Sequence, residues 1–186
     1  MVMNVALTSL WLPILLSGIA VFFLSSLIWT VIQYHDGDWR QLPNEDAART
    51  ALKGVPVGQY TLPWAADNKA RADEAWQQKY REGPAAMVTV LPHGSPGMGK
   101  QLVSWFVYCI LISLFVAYVA AATLAPGTDY LKVFQVASTT AFLAYGGGAG
   151  MHMIWFGATA GRTAKDLLDA LVYGLVTAGF FGWLWP

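Results

Sequence analysis

Four long stretches that contain no Asp, Glu, Lys or Arg dominate the hydrophobic pattern of the chain. They are Met1–Tyr34, Gln101–Thr128, Val133–Gly161 and Ala170–Pro186. A bilayer core requires about 20 consecutive apolar helical residues for each crossing. The first three stretches exceed that length, and the shorter fourth stretch ends in a Trp-rich segment that suits the membrane interface. The pattern therefore predicts an all-α membrane protein with four transmembrane helices.

A polar segment separates the first predicted span from the other three. Eight of the eleven Lys/Arg residues and eight of the eleven acidic residues lie between Asp36 and Lys100. We therefore divide the chain into transmembrane helix 1 at residues 1–34, a polar insert at 35–100 and transmembrane helices 2–4 at 101–186. Capping and turn residues predict that the insert is a small α+β unit. Its expected elements are helices at Glu45–Lys53 and Asp67–Glu82 and strands at Val57–Leu62 and Met87–Leu91.

The basic residues predict how the chain is oriented. The third and fourth helices are expected at Val133–Phe156 and from about Leu168 to Trp185, joined by a charged connection at residues 162–169. With four spans, the insert and this connection share one side of the membrane, and that side holds every Lys and Arg except Lys132. The positive-inside rule places that side in the cytoplasm, with both termini outside. The formal net charge of zero argues against a nucleic acid partner.

Small residues recur four positions apart in the third and fourth spans. The pairs are Gly146 and Gly150, Gly157 and Gly161, and Ala178 and Gly182. Small side chains at this spacing let helix backbones approach closely, so we expect these residues to pack helices within the chain or against another subunit. The consecutive glycines at 146–148 also disfavour helix. A kink or a closely bound ligand at this point is the alternative.

One histidine lies inside the third predicted span. An ionisable residue within a membrane span is a candidate functional residue, and His152 has Gly148 one helical turn before it on the same face. The small residue would leave room for a flat macrocycle ligated by the imidazole, which makes a tetrapyrrole a possible cofactor beside bound lipid. The competing interpretation is a histidine near the membrane edge, hydrogen-bonded to a neighbouring helix or to water.

The remaining polar residues form no recognisable catalytic or metal site. His35, Asp36, Asp38 and Glu45 have no standard metal-ligand spacing, and we interpret them as a solvated loop with turn-forming aspartates. The charges at residues 162–169 are interpreted as ordinary interfacial charges. Cys109 lies in an apolar helix, where packing is the expected role. We therefore expect no catalytic residues, no metal ligands and no enzyme activity.

Several short strings together resemble a family of uncharacterised bacterial four-helix integral membrane proteins. They are His35-x-x-Asp38-Trp39-x-x-Leu42-Pro43-x-Glu45-Asp46, Gly58-Gln59-Tyr60-x-x-Pro63, Gly83-Pro84, Ala125-Pro126-Gly127-Thr128-x-Tyr130 and the ending Phe181-Gly182-Trp183-Leu184-Trp185-Pro186. The resemblance covers most of the chain. It implies a bacterial source and the same four-span layout, and it implies no activity or catalytic residue. Together with the orientation predicted from the basic residues, we expect a bacterial inner membrane protein with a cytoplasmic insert and periplasmic termini.

These features favour a non-catalytic accessory subunit of a larger respiratory or photosynthetic membrane complex. The polar insert is small for an independently folded unit, and glycines and aromatic residues suited to helix contacts are abundant. Membrane lipids and other integral membrane subunits are the expected partners. Two alternatives remain open: a small transporter or channel that uses the Gly-rich break, and a tetrapyrrole- or metal-binding membrane protein that uses His152.

Overall fold

The computed structural model describes residues 5–94 and 97–186. The chain divides into two compact units. The helical unit contains the chain up to Arg40 and from Gly97 to the end, and the insert unit runs from Gln41 to Pro96. Residues 35–40, which lie within the polar insert predicted at 35–100, therefore pack with the helices.

The helical unit contains five α-helices, which with the helices of the insert we number in chain order. They are α1 (Trp11–Leu27), α5 (Gly99–Thr123), α6 (Tyr130–Gly146), α7 (Ala149–Phe156) and α8 (Ala160–Trp183). A 3-10 turn at Leu7–Leu10 precedes α1, and a π-helical turn at Ile28–Ile32 extends it.

Three helical stretches are long and apolar enough to cross a membrane. They are Leu7–Ile32, Gly99–Thr123 and Ala160–Trp183. Among the described residues, these correspond to the first, second and fourth predicted spans, so the expectation of a mostly helical chain with candidate membrane-spanning helices is confirmed. The third predicted span is divided at Gly147 and Gly148 into α6, of 17 residues, and α7, of eight residues. Consecutive glycines weaken the helix at this point. Neither α6 nor α7 is among the three candidate spans, so four spans are not confirmed.

The last helix begins eight residues earlier than the sequence predicts. The charged connection at 162–169 was expected to lie outside a helix, but α8 already begins at Ala160. The Thr159 hydroxyl accepts a hydrogen bond from the Arg162 backbone N–H, which satisfies a free amide in the first turn. Arg162 and Asp166 then form an ion pair across one turn, at 3.8 Å. Capping and charge pairing therefore extend α8 through residues 162–169, which hydropathy alone had excluded from the predicted helix.

Small buried side chains bring the helices of this unit together. Fully buried alanines on three helices, including Ala117, Ala137 and Ala178, form much of one core with Phe181. Polar contacts add to this packing, because the hydroxyls of Ser17 on α1 and Ser113 on α5 hydrogen-bond at 3.0 Å while both are buried. Such interhelical hydrogen bonds satisfy polar groups for which lipid tails offer no hydrogen-bonding partner.

The backbone of α6 lies close against α8 at Gly174. A Cβ atom at this position would lie 3.0 Å from the Ser138 carbonyl oxygen and 3.3 Å from the Phe142 backbone nitrogen. Backbone atoms cannot move aside without separating the helices, so Gly174→Ala should lower the free energy of unfolding by about 1–3 kcal/mol. Chemical unfolding in detergent micelles measures this. Gly179→Ala in the same helix is the control, because its Cβ would meet nothing within 4 Å. Equal effects of the two substitutions would contradict the packing argument.

Among its described residues, the insert unit combines three short helices with one two-stranded antiparallel sheet. They are α2 (Glu45–Ala51), α3 (Asn68–Ala72), α4 (Glu74–Glu82) and the antiparallel strands β1 (Gly58–Leu62) and β2 (Ala86–Val90). The strands pair from Gly58 opposite Val90 to Leu62 opposite Ala86. The single helix predicted over Asp67–Glu82 is wrong in one respect, since Asp73 adopts an extended conformation and divides it. Its carboxylate accepts hydrogen bonds from the Ala75 and Trp76 amides and so caps α4.

Candidate functional site

The end of the first span turns the chain back against α8. The π-helical turn Ile28–Ile32 ends at Gln33, whose φ of 54° lies in the left-handed region that non-glycine residues seldom occupy. A 3-10 turn at Asp36–Asp38 follows. This reversal places the side chains of His35 and Asp38 beside α8, within the helical unit.

His35 lies between two carboxylates. Its Nδ1 is 2.9 Å from Asp38 Oδ2, and its Nε2 is 3.2 Å from Asp169 Oδ2 on α8. The His35 side chain is only 2% exposed. Because each ring nitrogen faces a carboxylate oxygen, the protonated imidazolium is the form that donates on both sides. The ring therefore bridges the chain reversal to the last helix.

Aromatic side chains cover the imidazole. The Trp29 ring stacks on His35 with a centroid distance of 4.3 Å and an interplanar angle of 3°. The Tyr34 ring lies at 4.6 Å and is tilted by 31°. A cation over an indole face is attracted by the ring quadrupole. The stacking both fixes the ring orientation and keeps water from the hydrogen bonds.

Lys165 forms an ion pair with Asp38. Its ammonium donates to Asp38 Oδ1 and to the Tyr34 carbonyl oxygen, both at 2.7 Å. The hydrogen bond from Lys165 is the main cause that lowers the pKa of Asp38 below its ordinary value of 3.8, and the bond from His35 acts in the same direction against burial. Asp38 therefore carries its negative charge at neutral pH.

Asp169 accepts hydrogen bonds from three side chains. The Tyr34 hydroxyl donates to Oδ1, the Tyr173 hydroxyl lies 3.4 Å from Oδ2, and His35 reaches the same oxygen. The residue is only 6% exposed although it lies within a candidate membrane span. We call His35, Asp38, Lys165 and Asp169 the charge network. Every carboxylate oxygen of Asp38 and Asp169 thus has a hydrogen-bonding partner within the chain, as buried polar groups require.

The interpretation of residues 35–38 as a solvated loop is wrong for two of them. His35 and Asp38 are buried in the charge network, whereas Asp36 and Glu45 are exposed. The two ring nitrogens of His35 point to carboxylates on opposite sides, so these groups do not converge on one ion. Within residues 5–94 and 97–186, no group of three or more His, Cys, Asp or Glu side chains is placed to hold a metal.

A partly open cavity of about 520 Å³ adjoins the charge network. We call it the aromatic cavity. Its lining residues include Trp29, Trp105, Tyr145, Gly148, His152 and Asp169. Trp29 and Asp169 belong to both the lining and the surroundings of His35, so a molecule in the cavity would lie next to the network. Its size falls within the range of about 300–1,000 Å³ found for small-molecule sites.

The two residues proposed for tetrapyrrole ligation both lie on the wall of this cavity. His152 is exposed, and its ring lies 5.3 Å from that of Phe156. A Cβ atom on Gly148 would lie 4.0 Å from His152 Cδ2 and would meet nothing else within that distance. The imidazole and the open space beside the glycine therefore face the same cavity. This geometry leaves His152 able to bind a ligand there.

The residues predicted to pack helices fall into two groups. A Cβ atom on Gly146 would lie 3.0 Å from Ala170 Cβ, and one on Gly182 would lie 2.7 Å from the Tyr130 ring. Ala178 is fully buried. Gly150, Gly157 and Gly161, in contrast, have open space at the position of a Cβ atom. Gly157 follows the last residue of α7 as its C-cap, in the left-handed conformation with a φ of +74°.

The comparisons with known proteins identify no relative of this chain. No protein-family model matches it, and neither a curated protein nor a solved structure matches it significantly. We therefore infer the function of the chain from the contacts within the molecule.

Proposed function

We propose that the chain is a non-catalytic accessory subunit of a larger bacterial inner-membrane complex, respiratory or photosynthetic, and that the insert unit contacts a partner subunit. One observation carries the proposal. Among the described residues of the insert, Ala65 alone is buried. A unit of helices and strands without a hydrophobic core gains little from folding and requires an additional apolar surface to cover it.

The insert carries apolar side chains that such a surface would cover. Seven of the large ones among the described residues are more than half exposed, with Trp64 at 71%: Leu42, Val57, Leu62, Trp64, Tyr80, Met87 and Leu91. A sheet of only two strands is marginally stable by itself in water. Capping by Asp67 and Asp73 and a surface ion pair between Glu74 and Arg81 organise the helices locally but bury little surface.

The charges of the insert favour a protein over an anionic lipid surface. Residues 41–94 contain six Lys/Arg and six Asp/Glu, so no excess of positive charge attracts acidic lipid head groups. Aromatic side chains, and tryptophan above all, are enriched where proteins contact one another. The partner we propose is an integral membrane subunit that presents apolar side chains to Trp64.

A buried donor of the insert adds to this support. Trp76 stacks on Tyr80 with a centroid distance of 5.1 Å. Its indole Nε1 is buried and has no hydrogen-bond partner among the described residues. A buried N–H without an acceptor costs about 1–3 kcal/mol. A backbone carbonyl of a partner would satisfy it, and the groove that contains Trp76 is also lined by Trp64.

Purification from native membranes in a mild detergent tests the proposal. We expect a companion membrane protein to comigrate in fixed stoichiometry, identified by mass spectrometry, because the insert would hold the two proteins together. A solitary, stable homo-oligomer would contradict the proposal. That result would favour a small transporter or channel, which solute flux measurements in proteoliposomes would then examine.

A further inference from the structure

The aromatic cavity has the chemistry of a site for an uncharged, flat ring with hydrogen-bond acceptors. We propose that it binds the head group of a lipid-soluble quinone. This inference goes beyond a role as an accessory subunit and does not depend on the identity of any partner. It rests on an unpartnered hydroxyl in the cavity wall, on the balance of charges around the cavity, and on its position at the ends of the helices.

The Tyr145 hydroxyl is the first observation. Its oxygen is buried and has no hydrogen-bond partner among the described residues, although Tyr145 lines the cavity. The Cys109 thiol lies beside it, and a thiol forms only a weak hydrogen bond, so the hydroxyl lacks a strong acceptor among the described residues. Buried polar atoms are nearly always hydrogen-bonded, and an exception calls for a ligand or a water molecule. A ring carbonyl in the cavity would accept this hydrogen bond.

The charges around the cavity favour an uncharged ligand. Asp169 in the wall is paired with His35. Arg162 and Asp166, which also line the cavity, pair with each other at 3.8 Å. Asp169, Asp166 and Arg162 thus already have partners within the chain, so an anion or a cation in the cavity would find no unpartnered group of opposite charge.

The walls suit a flat ring. Tyr145 forms an aromatic cluster in which its ring lies 5.3 Å from that of Tyr173 and 6.3 Å from that of Trp105. Aromatic walls bind a planar ring by offset or edge-to-face contact. Trp29 and Trp105 lie near the ends of the candidate spans Leu7–Ile32 and Gly99–Thr123. The head group of a membrane-soluble quinone can therefore reach the cavity near the ends of these helices while its tail remains in lipid.

The test measures equilibrium binding of tail-free ubiquinone and naphthoquinone analogues to the full chain in nanodiscs, with empty nanodiscs subtracted. We expect one saturable site, and Tyr145→Phe should weaken binding about five- to tenfold, as expected for one lost hydrogen bond. Tyr108→Phe is the matched control, because Tyr108 neighbours Tyr145 at 6.5 Å but is 43% exposed. Equal affinity in wild type and Tyr145→Phe would overturn the proposal.

A second variant tests the cavity independently of the hydroxyl. Gly148→Leu places a side chain where only His152 is near, so it should fill the cavity and abolish quinone binding, whereas Gly150→Leu should not. Absence of saturable binding to wild type would overturn the proposal. Binding of haem instead, with a visible absorbance band that is lost in His152→Ala, would also overturn it and assign the cavity to a tetrapyrrole.

Discussion

Replacing Asp169 by alanine is expected to lower the free energy of unfolding by about 3–5 kcal/mol. The substitution leaves the buried His35 imidazole with one carboxylate instead of two and removes the acceptor of the Tyr34 and Tyr173 hydroxyls. Removing one partner from a buried pair costs more than the pair contributes, because the remaining charge and donors stay buried without partners. Chemical unfolding in detergent micelles, followed by circular dichroism, measures the change.

Asp166→Ala is the matched control, one turn earlier in the same helix. The Asp166 side chain is 35% exposed and pairs with Arg162, which is 37% exposed, at 3.8 Å. Ion pairs of this kind contribute about 0–1 kcal/mol, so the control should lose far less stability. If the two substitutions had equal effects, the charge network would not contribute the buried pairing described above. A double substitution with His35→Ala should cost much less than the sum of the single changes.

A large loss of affinity for the partner subunit is expected from a substitution at the surface of the insert. Trp64→Ala should weaken the association with the partner subunit about 30-fold or more, since a tryptophan at the centre of an interface typically contributes about 2 kcal/mol or more. The measurement is the fraction of the companion protein that remains bound through a dilution series of the purified complex. Circular dichroism of the variant shows whether its helices are intact.

Trp155→Ala provides the comparison for that experiment. Trp155 lies on α7 in the helical unit and is 71% exposed, the same fraction as Trp64. If the insert makes the contact, this change should leave the association unaltered. Equal weakening by both substitutions would show that exposed tryptophans act through the membrane interface and not through the insert.

The candidate spans could be predicted because a charge-free, apolar stretch of this length is characteristic of a helix that crosses a bilayer. The two strands of the insert were also predictable, since Pro56 and Pro63 bound the first of them, but their pairing was not predicted. The division of the third span at Gly147 was foreseen only as an alternative. Hydropathy does not report whether three glycines end a helix or merely loosen it, because packing decides between these outcomes.

The charge network could not be predicted from local sequence. His35 and Asp169 are 134 residues apart and meet only because the chain reverses at Gln33. Locally, His35 and Asp38 look like a polar loop, and Asp169 looks like a charge at a helix end. The signal that was available is the position of Asp169. Its spacing of four residues from Tyr173 and Lys165 places all three on one face of α8.

The aromatic cavity was predicted in part. The pairing of His152 with Gly148 at one helical turn indicated a space beside the imidazole, and both residues line the cavity. The Tyr145 hydroxyl was not predicted, because its lack of a hydrogen-bond partner depends on residues of several helices. A tyrosine in an apolar helix gives no indication of whether its hydroxyl has an acceptor.

Photo-crosslinking from position 64 tests whether the insert contacts a partner subunit. A photoreactive benzoylphenylalanine in place of Trp64 reports which molecule covers the insert in intact native membranes, before any detergent is added. We expect a crosslinked product with one other membrane protein of defined mass, and no such product from the same probe at Trp155. Crosslinks to lipid alone, or to a second copy of this chain, would contradict the assignment of the insert as a contact to a partner subunit.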